Sequence, residues 1–310
     1  MAGATAIEFV WWLIAWGAGF APAPFLGIYL ALAVGGVAVA FAIRLAFLRS
    51  RPRPTWAAIV TGAALTGFGA SLFLPLKTAI PKEIPFWLDQ PLALAERQLF
   101  GTDPWRLLDQ AIGWSSVPVD HLYALWLPVQ SLVLFMVILE PPSAAKSRAL
   151  TAYSLAWFLL GVAAATIFSS AGPLFYDRLF GGSEFATLRE TLAGRGAWVA
   201  LAESDKMWAA VGSNERSLVS GISAFPSMHV AISVWIYLTA RTLAPRAAKF
   251  ALIYSAVVWI ASVQLGWHYA ADGLAGAAGM IALWALAGRV ERFLSRAETD
   301  GSCESGAKLS

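Results

Sequence analysis

Two apolar stretches of the chain each begin with a short polar motif: Phe225-Pro-Ser-Met-His-Val230 opens residues 226–243, and His268-Tyr-Ala-Ala-Asp272 opens residues 269–288. The two motifs contain two of the three histidines in the protein. An ionisable side chain at membrane depth costs on the order of 3 kcal/mol, so it usually faces the protein interior or a cavity. The motifs therefore predict two helix starts and a functional site.

The composition is that of a membrane protein. Hydrophobic residues make up 58% of the 310 residues, charged residues make up 13%, and the mean hydropathy is +0.64. A soluble domain typically has about 25% charged residues. We therefore expect an all-α, polytopic transmembrane helical bundle. The net charge of +3 is too small to indicate nucleic-acid binding, and a single cysteine, Cys303, excludes an internal disulfide.

Seven apolar runs approach or exceed the length of roughly 20 residues that a membrane-spanning helix needs. They cover residues 24–48, 55–76, 117–139, 148–169, 226–243, 249–267 and 269–288. Residues 1–23 are expected to form an interfacial helix or a short membrane helix ahead of them. The spans form one transmembrane domain, residues 24–289. Residues 290–310 turn polar and are expected to form a disordered cytoplasmic tail.

Lys and Arg decide the predicted orientation, because cytoplasmic loops of membrane proteins are enriched in them. Four alternate connections carry these residues: Arg49, Arg51 and Arg53; Lys146 and Arg148; Arg241, Arg246 and Lys249; Arg289, Arg292 and Arg296. The two long connections, residues 77–116 and 170–225, lie on the other side, and acids outnumber bases in them. Both polar motifs begin their spans on that side. We therefore expect a multi-pass protein of a bacterial inner membrane with an extracytoplasmic site.

The spacing inside the second motif is that of a catalytic pair. His268 and Asp272 are four residues apart and share one helix face, where a carboxylate can orient an imidazole as a base or nucleophile. In the first motif Pro226 suits a first helical turn, and Ser227 offers a hydroxyl beside backbone N–H groups that can bind an anion. Each motif alone also fits an ordinary helix start, in which the helix dipole stabilises Asp272. Their convergence at one depth favours a site.

Together the motifs resemble those of the PAP2 (type 2 phosphatidic acid phosphatase) superfamily. The likeness is greatest to the branch that contains inositolphosphorylceramide synthases, whose members carry Phe-Pro-Ser-x-His and later His-Tyr-x-x-Asp. The resemblance covers mainly residues 117–288, and it implies a six-helix core and a phosphohistidine mechanism. By that likeness His268 is the nucleophile, Asp272 is its orienting partner, and His229 is the acid that protonates the leaving oxygen.

The basic residues of the chain depart from the pattern of the broader superfamily. A Lys-x6-Arg-Pro motif is absent. In its place, residues 169–178 look like the variant first motif of the branch with inositolphosphorylceramide synthases. Ala261-Ser262 stands where a Ser-Arg pair is usual before the second histidine. Other groups must then balance the charge of a phosphate. The candidates for binding the phosphate are Ser227, through its hydroxyl in the first motif, and Arg178 and Lys77, both near outer span ends. Each of the two basic residues is equally compatible with a solvated charge at the interface.

The sequence therefore favours a lipid phosphatase or phosphotransferase. Its substrate would be a (poly)prenyl, glycero- or sphingolipid phosphate, and the acceptor would be water or a lipid alcohol, with both acceptors left open. No cofactor or metal is expected, because two histidines and one carboxylate without a further acidic cluster make a poor metal site. The alternative is a non-enzymatic transporter or channel-like bundle with a histidine site. The third histidine, His121, is a weaker site candidate, for which a structural role is the simpler interpretation.

Overall fold

The computed structural model describes residues 26–47, 54–212 and 221–307, so the predicted N-terminal element at residues 1–23 lies outside the described residues. Within these ranges the regular structure is helical throughout, and the prediction of an all-α fold is confirmed. The helices are α1 Leu26–Phe47, α2 Trp56–Glu83, α3 Asp89–Phe100, α4 Pro104–Ile112, α5 Ser116–Ala124, α6 Trp126–Ile138, α7 Ala144–Ile167, α8 Pro173–Phe180, α9 Ala186–Arg195, α10 Trp198–Gly212, α11 Met228–Leu243, α12 Ala248–Gln264 and α13 Ala270–Ala307.

The helices confirm a multi-pass membrane protein. Among the described residues, five helices are long and apolar enough to cross a membrane: α1, α2, α7, α12 and α13. A bent pair, formed by residues 104–124 together with α6, makes a sixth if it counts as one span. The bend of about 40° follows Ala124. Pro128 lies in the first turn of α6, where its missing N–H interrupts helical hydrogen bonding with the preceding turn.

The predicted span at residues 226–243 is α11, which is too short to be among the helices counted above as candidate membrane spans. Helix α11 has only 16 residues and is about 24 Å long at 1.5 Å per residue, which is less than a hydrocarbon core of about 30 Å. Ser227 caps its start, and the helix ends before Pro245. It packs between α12, α13 and α7, and Trp235 near its middle is completely buried. Helix α11 is therefore the centre of the bundle.

The starts of α11 and α13 lie together at one end of the bundle. The backbone N–H of Ser227 donates to the carbonyl of Asp272 at 2.9 Å, which joins the two motifs directly. A side chain at Gly276 would collide with the Ser227 carbonyl, so the two helices need glycine there to approach so closely. Gln264, at the end of α12, reaches the Ser116 hydroxyl at the same end.

The short helices α3, α4, α8, α9 and α10 form a layer over this end. Ion pairs join them: Arg97 with Asp103 and Glu184, Arg195 with Asp109, and Arg178 and Arg189 with Asp205. Isolated exposed ion pairs contribute about 0–1 kcal/mol each. Because these pairs form a network that spans both long connections, the layer holds the two connections against one another above the polar motifs.

The last helix, α13, extends past Arg289, the predicted end of the transmembrane domain. Residues 290–310 were expected to be a disordered tail, whereas α13 continues through Ala307. The segment after Arg289 keeps helix formers such as Glu291, Arg292 and Leu294, and it has no proline to end the helix.

Candidate active site

The two histidines of the polar motifs face each other. The ring centroids of His229 and His268 are 5.8 Å apart with an interplanar angle of 61°. His229 lies in the first turn of α11, and His268 lies just before α13. This separation is below the roughly 10 Å within which one phosphoryl group can contact both rings at about 3 Å each. The predicted neighbourhood of the two motifs is thus present in the structure.

Asp272 holds the ring of His268. Nδ1 of His268 lies 3.3 Å from Oδ2 of Asp272, and the same oxygen accepts the backbone N–H of Tyr269 at 3.0 Å. The histidine is 5% exposed and the aspartate 0%, so water does not compete for this contact. With its proton on Nδ1, the ring donates to the carboxylate and presents the lone pair of Nε2. This is the arrangement that the i, i+4 spacing predicts.

Aromatic rings, in contrast, hold His229. Tyr123 stacks on the imidazole at a centroid distance of 4.6 Å and 18°, and the centroid of Trp126 lies 4.2 Å away. The indole N–H of Trp126 also donates to the backbone carbonyl of His229 at 3.0 Å. Packing therefore fixes the orientation of this ring, with no carboxylate bonded to it among the described residues. Neither aromatic residue could be selected from the sequence, since nothing in the motifs points to them.

The three predicted phosphate ligands are placed differently. Ser227 is fully buried, and its hydroxyl accepts the backbone N–H of Val230 at 3.4 Å as the cap of α11. The charge of Lys77 is close enough to act on His229, and a Cβ at Gly221 would meet the lysine side chain. Lys77 thus lies at the edge of the histidine pair.

Arg178 and His121 are engaged elsewhere. Arg178 pairs with Asp205 and lies over the ring of Trp208, in the outer layer, and no described contact joins it to the histidine pair. His121 is exposed, and its Nδ1 lies 2.9 Å from the carbonyl of Val117 in its own helix. The structural role expected for His121 agrees with this position.

A sequence model of the PAP2 superfamily matches residues 90–286, more than half of the chain, and the match includes both polar motifs. The chain belongs to the PAP2 superfamily. Membership indicates a phosphatase or phosphotransferase activity. Searches of curated proteins and of solved structures each found no significant match.

This PAP2 member has buried acids around its motifs that the sequence analysis did not select. Asp89, at the start of α3, is completely buried and accepts the backbone N–H groups of Ala171 and Gly172 at 2.8 Å and the Ser170 hydroxyl at 3.1 Å. Gly172 has φ +93°, and a side chain there would collide with the Trp267 carbonyl. Asp89 therefore fixes the loop that resembles a variant first motif against the segment leading to His268.

Glu96 fixes the other side of the same segment. Its Oε1 accepts the backbone N–H of Ala271 at 2.9 Å, in the first turn of α13. Helix α3 turns Asp89, Ala93 and Glu96 inward, while Leu94 and Leu99 are exposed. In α3 the acids share the buried face and leucines are exposed, which is the reverse of an ordinary amphipathic helix. This reversal could have indicated the two acids from the sequence, because acids on a buried helix face need partners. Within the described residues no group of three or more His, Cys, Asp or Glu is arranged to hold a metal ion.

Burial changes the ionisation of these acids. It raises the pKa of Asp89 to about 6 and the pKa of Glu96 to about 7, against the opposing effect of the backbone N–H groups that each carboxylate accepts. The nearby Asp272 carboxylate raises both pKa values further. The layer above the histidine pair thus carries less negative charge below pH 6 than at pH 8.

We expect Glu96→Gln to stabilise the protein at pH 8. A carboxyl group whose pKa is raised by folding stabilises the folded state fully below its unfolded pKa, and this contribution is lost as the pH rises through the folded value. For Glu96 the loss falls between about pH 4.5 and pH 7 and amounts to at most about 3 kcal/mol. The amide keeps an oxygen for Ala271. Thermal unfolding of the wild type and of Glu96→Gln at pH 5 and pH 8 measures the difference in stability.

The exposed Glu190 on α9 provides the matched control, and Glu190→Gln should leave the pH dependence of unfolding unchanged. An equal pH dependence in wild type and Glu96→Gln would show that Glu96 does not titrate in this range.

Proposed function

We propose that this protein is an integral-membrane enzyme that transfers the phosphoryl group of a lipid phosphate through a phosphohistidine on His268. The observation that carries the proposal is the buried His268–Asp272 contact at 3.3 Å, with the ring of His229 5.8 Å away. One histidine is held by a carboxylate and the other by aromatic packing, so the two rings have different environments. Different environments suit different roles, a nucleophile and an acid–base group.

In the first step Nε2 of His268 attacks phosphorus, and the bond from phosphorus to the leaving oxygen breaks. Protonated His229 gives its proton to that oxygen, which departs as an alcohol. The phosphorylated ring of His268 is cationic, and the Asp272 carboxylate stabilises it through Nδ1–H. Positioning and charge stabilisation are the main contributions that a protein makes to phosphoryl transfer.

In the second step an acceptor hydroxyl takes the phosphoryl group from His268. His229, now neutral, removes the proton of the acceptor as the new P–O bond forms and the P–N bond breaks. The cycle ends with neutral His268 and protonated His229, as it began. Water as acceptor gives a phosphatase, and a lipid alcohol gives a phosphotransferase. The likeness of the motifs to those of inositolphosphorylceramide synthases favours transfer.

Lys77 and the first turn of α11 would neutralise the phosphate. The backbone N–H groups of Met228 and His229 lie at a helix N-terminus, where anions are stabilised, and the ammonium group of Lys77 would add a positive charge. The Ser227 hydroxyl caps the same turn and would orient these donors. Because the histidines open helices of an apolar bundle, the substrate class is a phosphate on a (poly)prenyl, glycerolipid or sphingolipid tail.

Purified protein should release or transfer phosphate from at least one of these lipids. The assay presents (poly)prenyl, glycerolipid and sphingolipid phosphates in detergent micelles, each with and without an added lipid alcohol, and follows free phosphate and new phospholipid. Orthovanadate, which mimics the transition state of phosphoryl transfer, should inhibit. Failure with every lipid, together with no vanadate binding, would contradict an enzymatic function and leave the transporter alternative.

We expect the site to face the extracytoplasmic side. Arg246, between α11 and α12, and Lys146, in the first turn of α7, lie at the opposite end of the bundle from the histidine pair, and ends rich in Lys and Arg are normally cytoplasmic. In a Cys303→Ser background, a cysteine at exposed Ser183 should therefore react with an impermeant maleimide in intact cells. A cysteine at exposed Ala247 is the control and should react only after the cells are broken. The reverse labelling pattern would place the site in the cytoplasm.

A further inference from the structure

The hydroxyl of Tyr123 is a buried donor without a hydrogen-bond partner in the described part of the chain. The residue is 6% exposed, so bulk water does not serve as that partner. Most buried hydroxyls in proteins are bonded, and an unmade bond costs about 1–3 kcal/mol. A polar group that is left unpaired at such a cost is a candidate for binding a ligand.

Tyr123 contacts the first polar motif and lies near the start of the second. Its ring is stacked on His229 at 4.6 Å and 18°, and it is nearly parallel to Trp267 at a centroid distance of 6.5 Å. Trp267 directly precedes His268 in the chain. The carboxylate of Asp272 is also close enough for its charge to act on the phenol. Tyr123 therefore lies beside the space that a group bridging the two histidines would occupy.

The donors proposed so far for the oxygens of a phosphoryl group include the backbone N–H groups of Met228 and His229. Arg178 is paired in the outer layer, and Asp89 already occupies the backbone N–H groups of Ala171 and Gly172. Lys77 brings one positive charge to the edge of the pair. A phosphoryl group in transfer carries charge on three oxygens, and fixed donors in a dry site stabilise that charge strongly. A buried hydroxyl without a partner would supply one such donor.

We propose that Tyr123 is a further catalytic residue, whose hydroxyl donates a hydrogen bond to a non-bridging oxygen of the phosphoryl group between His229 and His268. The inference rests on the proposed function and adds the ligand chemistry of the site, an oxyanion of phosphorus or vanadium. The hydroxyl keeps its proton throughout, so it takes no part in the proton transfers of His229. The stack also sets the distance between the hydroxyl and the acid–base ring.

The test is Tyr123→Phe, which keeps the stacked ring and removes only the hydroxyl. We expect kcat to fall roughly 100-fold, since removal of one oxyanion donor has an effect of this order. The inhibition constant for orthovanadate should rise by a similar factor, and KM for the lipid should change little. Thermal stability should be equal to or above that of the wild type, because the variant removes an unpaired buried hydroxyl.

Tyr153→Phe is the matched control. The hydroxyl of Tyr153 donates to Oε1 of Gln130 at 2.7 Å, so its loss should lower stability and leave turnover and vanadate inhibition unchanged. Wild-type turnover and vanadate inhibition in Tyr123→Phe would overturn the inference while leaving the proposed function intact. Lower stability together with lower activity in Tyr123→Phe would also overturn it, because it would indicate a structural role. A wild type that neither turns over lipid phosphates nor binds vanadate would contradict the proposed function itself.

Discussion

His268→Ala should lower turnover by about 10⁴-fold or more and abolish any phosphorylated form of the protein. Removing the nucleophile eliminates the covalent route, and nucleophile deletions in other enzymes have effects of this size. The measurement combines the rate of phosphate release with acid-quench trapping of label from a ³²P-labelled lipid phosphate. Phosphohistidine is labile in acid and stable in base, so the label on the wild type should be lost at low pH and retained at high pH.

His121→Ala is the control, because this histidine is exposed and bonds only to its own helix among the contacts described. It should keep full turnover and the labelled intermediate. Since alanine leaves a cavity beside the buried Asp272, His268→Gln provides a second variant that fills more of the space, with thermal unfolding as the test of folding. Full turnover in either His268 variant would end the phosphohistidine mechanism. Label trapped on His229 would reverse the assigned roles.

The meeting of the two motifs could be predicted because each part of the argument is local. Pro226 and Ser227 are residues that begin helices, His268 and Asp272 are one helical turn apart, and the loop charges place both helix starts on one side. The structure adds the step that local rules do not contain, the hydrogen bond from Ser227 N–H to the Asp272 carbonyl at 2.9 Å. Gly276 permits that approach, and a small residue in a membrane helix is too common to indicate it.

The surroundings of the pair could not be predicted, because they come from distant parts of the chain. Glu96 meets Ala271 across 175 residues, and Trp126 meets His229 across 103. Neither Glu96 nor Trp126 belongs to a motif. The apolar span around Trp126 contains other aromatic residues, and the sequence does not distinguish Trp126 from them. From the sequence alone, Lys77 and Arg178 were equally good candidates for phosphate ligands. Only the packing separates them, since Arg178 pairs with Asp205 in the outer layer.

The buried acids give the site a character that its motifs alone do not suggest. Asp89 and Glu96 each hold backbone N–H groups of the segments that flank His268, so their structural task is to fix the loop and the helix start. Their charges oppose the binding of a phosphate nearby. Because their pKa values are raised to about 6 and about 7, protonation relieves this repulsion at mildly acidic pH. At neutral pH the charged carboxylates that hold the loop therefore oppose the binding of a phosphate.

Asp272→Asn should lower kcat by about 10³- to 10⁴-fold while leaving the fold intact. The amide is isosteric, and its oxygen can still accept the N–H of Tyr269. It has no charge to stabilise the cationic phosphohistidine. In the flipped orientation the amide gives up the Tyr269 bond and turns its NH₂ toward His268, which stabilises the tautomer whose Nε2 carries the proton and is not nucleophilic. The corresponding change in a serine protease triad has an effect near the upper end of this range. Steady-state kinetics measure the loss.

Spectroscopy can separate this cause from a general loss of structure. The chain has three histidines, so ¹⁵N-histidine labelling gives three pairs of ring signals, and those of His268 should report Nδ1–H in the wild type and a changed tautomer or a weaker hydrogen bond in Asp272→Asn. Asp120→Asn is the control, because Asp120 is also buried and accepts two backbone N–H groups, from Val199 and Ala200, but bonds to no catalytic histidine. It should lower stability with kcat unchanged. Equal kcat losses in the two variants would show that Asp272 acts through the fold, and an unchanged kcat in Asp272→Asn would show that the contact at 3.3 Å has no part in the chemistry.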